Sequence, residues 1–177
     1  MPRLRSATGA RPLMGVLLLL SSWSATAGAQ APRGAPAGGT SATRAAVMAV
    51  VDSAMDAINR GDMVRLSNLM TDSGQVYAAR ERNGAPGFTM RTAASQRASG
   101  QRAPIIERGF DAEVRVAGSM ASVWLPYDLW QNGVWSHCGI DQFTLVQVGV
   151  TWRIVNLTYS VEQPPACRMH PSGPPPG

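Results

Sequence analysis

His137 is the one histidine in the patterned part of this chain, since His170 lies in a Pro/Gly-rich end. Asp141 follows four residues later, and in an extended strand residues an even number apart share a face. His137, Asp141, Phe143 and Leu145 should therefore point the same way. An imidazole titrates near neutral pH, so a histidine and a carboxylate on one concave face can move protons on a bound molecule. Along one strand their Cα atoms would lie about 13 Å apart, at about 3.3 Å per residue. Each therefore needs a partner from a neighbouring strand. The Asn132-Gly133 turn supplies one. With two central residues it sets Trp130 opposite Trp135, Asp128 opposite His137 and Tyr127 opposite Cys138. His137, Asp141 and Asp128 are the candidate acids and bases. The competing reading of Asp128 and His137, a polar pair satisfying itself at a hairpin, is the simpler one.

Tyr127, Trp124, Trp130, Phe143 and Tyr159 are the candidate ligand contacts, an aromatic wall for an apolar molecule, though core packing accounts for the same residues. Glu107, Asp111 and Glu113 alternate with apolar residues and read as a solvated strand face. Cys138 and Cys167 are the only cysteines. In an exported protein such a pair is more often a disulfide than two buried thiols. The bond should form on the face away from His137, because Cys138 has the opposite parity. The sequence contains no phosphate loop, dinucleotide fingerprint, nucleophile elbow or metal-ligand spacing, so no cofactor and no metal are expected.

The elements that must position these residues follow from periodicity. Val47, Val50, Val51, Ala54, Met55 and Ile58 form one apolar stripe at helical spacing, capped by Thr40 or Ser41 and ended at Gly61. A short helix through Val64 to Met70 follows. Gln75 to Ala79 and Phe88 to Thr92 read as strands around Asn83-Gly84, with a short helix over Thr92 to Ser99. Then come alternating segments over Ile105–Val116, Met120–Trp130, Val134–Val148 and Thr151–Val161. Tight turns join them, so the sheet is expected to be mainly antiparallel. Helices followed by a strand meander give an α+β fold. A strongly twisted sheet curled around a helix leaves a cone-shaped barrel with an open mouth, where a small apolar ligand fits.

The ends bound the domain. Arg3, Arg5 and Arg11, the run Leu13 to Leu20 and the Ala27-Gly28-Ala29 site read as a signal peptide cut after Ala29, which implies a secreted or periplasmic protein. The apolar run is too short to span a bilayer, so no membrane contact is expected after cleavage. Residues 30–40 read as a flexible linker, residues 41–167 as one domain, and residues 168–177 as a disordered Pro/Gly-rich tail. The net charge of +5 is carried entirely by Arg. Three Arg fall in the signal and the rest are scattered, so no nucleic-acid partner is expected.

The helix ending AINRGD, the run WLPYDLWQNGVWSHCGIDQFTLVQ and the closing TWRIVNLTY resemble the nuclear transport factor 2-like superfamily, in particular its exported bacterial members of lumazine-binding-like or polyketide-cyclase-like type. The resemblance covers Ala45 to Val161. It implies a cystatin-like cone with a pocket between sheet and helices, and a homodimer. It does not choose between a non-catalytic binding or interaction domain and a small cofactor-free isomerase, dehydratase or cyclase using His137 with Asp128 or Asp141. The binding reading is preferred.

Overall fold

The computed structural model describes residues 39–176; the signal peptide and nearly all of the linker expected above lie outside the described residues. Helix α1 (Ser41–Asn59) starts at Thr40, whose Oγ1 accepts from the Thr43 N–H at 3.1 Å. Its stripe of Val47, Val51, Ala54 and Met55 is buried as expected. Gly61 ends it with a left-handed φ of 67°. A Cβ there would lie 2.3 Å from the Arg102 carbonyl oxygen, so glycine is required on two counts. Asp62 then caps α2 (Met63–Leu69), accepting from the Arg65 N–H at 2.8 Å.

Strands β1 (Met70–Arg82) and β2 (Ala85–Thr92) form a hairpin, and Thr92 caps α3 (Ala93–Ser99). The remaining strands are β3 (Ile106–Gly109), β4 (Glu113–Ala117), β5 (Met120–Gln131), β6 (Val134–Val148) and β7 (Thr151–Val161). The sheet order is β2-β1-β7-β6-β5-β3, with β4 also pairing β5. One pair, β1 with β7, is parallel, so the sheet is mixed though mainly antiparallel. The strongly curved sheet and the N-terminal helices give the expected α+β architecture. Phe143, Leu145, Val123, Ile154 and Leu157 meet the α1 stripe in one core. Fully burying each such apolar side chain contributes about 1.5–3 kcal/mol. No helix among the described residues is long and apolar enough to cross a membrane.

Two expectations change here. The single strand over Ile105–Val116 is broken at residues 110–112, where Asp111 takes a φ of 50°. The break shifts the parity of β3 against β4 by one residue, because Glu107 lies opposite Leu129 but Glu113 opposite Trp124, six steps against five. The C-terminal stretch is not a free tail. Arg168 pairs with Asp111 at 2.6 Å, the His170 ring meets Phe110 edge-on at 5.4 Å, and Arg108 donates to the Gly173 carbonyl at 2.8 Å. Cys138 and Cys167 are joined by a disulfide, with Cα atoms 5.7 Å apart, on the face opposite His137. Composition alone cannot show that a short Pro-rich segment has a covalent anchor and a buried acceptor waiting for it.

Candidate functional site

Between the concave face of the sheet and the helices lies a cavity of about 390 Å³. Its apolar wall comes from Ile58, Met63, Leu66, Val76, Leu129 and Leu157. The size and the mixture of apolar wall with a few polar groups suit a small organic molecule.

The β5–β6 hairpin decides which polar groups reach it. The Asn132-Gly133 turn sets Trp130 opposite Trp135, as expected. A bulge at Ser136 then adds one residue to β6. His137 therefore pairs with Leu129, Asp128 with Cys138 and Tyr127 with Gly139. One inserted residue separates Asp128 from His137 and sends their side chains to opposite faces. The expected Asp128–His137 pair is thus corrected, and Asp128 is not a cavity residue.

Asp128 sits on the outer face as a buried structural hub. Its carboxylate accepts from Arg108 Nε at 3.0 Å and from Arg108 Nη2, from Trp130 Nε1 at 3.0 Å and from the His170 backbone N–H at 3.0 Å. Burial alone would raise this carboxyl, but the Arg108 hydrogen bond, those from Trp130 and His170, and the Arg108 charge hold it below its ordinary value. Trp130 stacks on Trp135 on the same side, with ring centroids 6.2 Å apart. Trp124 is 49% exposed, and Phe143 is wholly enclosed in the core. None of Trp124, Trp130, Phe143 and Tyr127 lines the cavity, so these expected ligand contacts are corrected too. An aromatic at the right spacing on a strand fills whichever side the sheet presents, and here that is core or outer face.

His137, Asp141 and Tyr159 do line the cavity. The His137 Nδ1 lies 3.0 Å from Ser136 Oγ. Burial, and then the positive charge of Arg80, lower the His137 pKa, so the ring is neutral at pH 7. Tyr127 stands just behind, its ring edge-on to His137 at 5.9 Å. Its hydroxyl is committed to the Ser160 carbonyl at 2.7 Å, and burial, with the nearby Asp141 and Glu107 carboxyls, pushes its pKa up. Gly139 makes room for this arrangement, because a Cβ there would approach the Ser160 carbonyl oxygen to 2.3 Å.

The partner of Asp141 is Glu107, which strand alternation alone had assigned to a solvated face. The parity shift at residues 110–112 turns it inward instead, beside Leu129 on β5. Asn59, the last residue of α1, clamps its backbone, accepting from the Glu107 N–H and donating to its carbonyl at 2.9 Å. Glu107 is 9% and Asp141 2% exposed. As ionised groups both would be badly solvated, and Asp141 Oδ2 is buried with nothing to accept from. The two carboxyls are near enough for one proton to be shared between them as a hydrogen bond. Burial pushes Glu107 up to about 7. Asp141 is raised well above the usual carboxylate range, by burial first and then by the charge of Glu107 and the shared hydrogen bond. Two close buried carboxyls hold a proton near neutral pH and can release or accept it there.

Three arginines that the sequence pattern did not single out, Arg80, Arg91 and Arg102, also line the cavity. The signal for Arg80 was present: Val76, Ala78 and Arg80 alternate on the inward face of β1. Arg91 faces the same way opposite Val76. Arg102, on the loop after α3, carries no strand parity to read.

No family profile matches this chain, and no curated protein matches it in sequence. Solved structures do match in fold. A protein of unknown function with a cystatin-like fold from Nostoc punctiforme superposes with a TM-score of 0.56 at 9% identity, covering 71% of this chain and 96% of that one. A nuclear transport factor 2-like protein of unknown function from Methylobacillus flagellatus gives 0.53 at 15% identity, covering 70% and 95%. A proposed dehydratase of the nuclear transport factor 2-like family from Streptomyces avermitilis gives 0.52 at 18% identity, covering 68% and 96%. The chain has the cystatin-like fold of the nuclear transport factor 2-like proteins.

Proposed function

We propose that this protein binds a small, largely apolar, carbonyl-bearing molecule in the cavity and acts on it by cofactor-free acid–base chemistry, as an isomerase or dehydratase. The observation that carries the reading is the Glu107–Asp141 pair. A cavity built only to hold an apolar ligand gains nothing from two buried carboxyls, whose desolvation costs stability. The shared proton rests on Asp141, the more strongly raised of the two, so Glu107 is the carboxylate that removes a proton next to the ligand carbonyl and Asp141 the acid that can deliver its proton to the carbonyl oxygen. Neutral His137 is a second proton carrier on the wall, and Tyr159 a contact. In an isomerisation the proton returns at another carbon, so nothing is consumed.

The test uses β-tetralone in deuterated buffer, with deuterium entry at its α-carbons followed by proton NMR. Exchange above the buffer rate, lost in Asp141→Asn and in Glu107→Gln, supports the reading. An inert wild type, or an unimpaired Asp141→Asn variant, removes it. We also propose that the protein works outside the cytoplasm, as a homodimer. The disulfide supports the compartment, and N-terminal sequencing of protein from its host should begin at Gln30.

A further inference from the structure

Three cations that the acid pair does not use line the same cavity: Arg91 is exposed and Arg80 and Arg102 are half-buried, nearer the mouth than the buried Glu107 and Asp141. None of them has a carboxylate partner among the described residues, where the ion pairs are made by Arg60, Arg65, Arg108, Arg115 and Arg168. Arg80 Nε is buried with no hydrogen-bond acceptor. Gly87, opposite Arg80 on β2, presents no side chain to cover it. Arg102 is braced by Gln96 Oε1 and Ser99 Oγ, each 3.0 Å from its Nη2. Arg91 stands close enough to Arg102 for the two charges to repel. Like charges gathered at an apolar opening, one with a buried donor unmet, are costly unless something negative joins them.

We propose that the ligand of this cavity is a small amphipathic carboxylate, its apolar body inside and its carboxylate held at the mouth by Arg80, Arg91 and Arg102. A planar guanidinium matches a carboxylate through paired N–H donors. The polarity is set by the floor: Glu107 and Asp141 repel a second carboxylate, so the anionic end stays at the mouth and the apolar body meets the acids. This rests on the same cavity as the proposed reaction but not on its chemistry.

The probes are 2-naphthylacetate and its neutral counterpart 2-naphthaleneethanol, titrated by isothermal calorimetry into the full mature protein. The carboxylate should bind roughly tenfold more tightly or better, and the preference should weaken with added salt. Arg80→Met/Arg91→Met should bring the two probes within about twofold, while Arg80→Lys/Arg91→Lys should keep most of the preference. Near-UV circular dichroism checks that each variant is folded. Equal binding, preference for the alcohol, no binding of the acid, or a preference surviving in the folded methionine variant overturns the proposal. Deuterium exchange into neutral β-tetralone separates the two readings. Exchange without carboxylate preference sinks only the anionic ligand, and preference without exchange sinks only the acid–base role.

Discussion

The shared proton of Glu107 and Asp141 has a measurable consequence for stability. Unfolded, Glu107 titrates near its ordinary value of 4.5; folded, burial pushes it up to about 7. Between those values the folded protein binds more protons than the unfolded chain, so stability falls as pH rises. The contribution is intact below about pH 4.5 and is lost as pH passes through 7. Each pH unit between the two values is worth about 1.4 kcal/mol, so the loss is about 3 kcal/mol from Glu107 alone. The raised Asp141 adds to it in the same direction. The perturbation is Glu107→Gln/Asp141→Asn, which replaces the pair with neutral isosteres that still hydrogen-bond to each other. Urea unfolding at half-unit steps from pH 5 to 8 gives the free energy at each pH. Wild type should lose about 3 kcal/mol or more across that range relative to the double variant, which should be the more stable protein at pH 8. A wild-type curve parallel to the double variant's, or one that rises with pH, would refute the buried-pair argument.

Asp128→Ala leaves Arg108, Trp130 Nε1 and the His170 N–H without their acceptor, and should cost about 3 kcal/mol in urea unfolding; limited proteolysis should then cut near residue 168, and an uncut, equally stable variant would show the hub to be idle. Cys138→Ser should cost about 3–4 kcal/mol for a cross-link spanning 29 residues, and thiol counting on unreduced, unfolded wild type should find no free thiol. The proposed homodimer should dissociate in Trp124→Glu, because Trp124 and Met120, 49% and 54% exposed, offer apolar surface on the outer face and at the start of β5. Sedimentation equilibrium reads this, and a wild type that is monomeric at every concentration ends the proposal.

Local chemistry was enough for much of this protein. The α1 stripe, its caps and Gly61, the Asn132-Gly133 turn and the alternation of β5, β6 and β7 rest on near-neighbour spacing, which any chain displays before it folds. Parity likewise put His137 and Asp141 on one face and Cys138 on the other. What parity could not reach was any pairing downstream of an irregularity. The bulge at Ser136 moved Asp128 away from His137, and the break at residues 110–112 turned Glu107 from solvent to cavity. Each is a single-residue change of phase with no side-chain signature of its own, and in a period of two it reverses every face beyond it. The convergence of Arg80, Arg91 and Arg102 with Glu107 and Asp141 joins residues up to 61 positions apart in sequence. Only the closing of the curved sheet on the helices brings them to one cavity, because which strands become neighbours is settled by burial of the whole apolar face and not by any one segment.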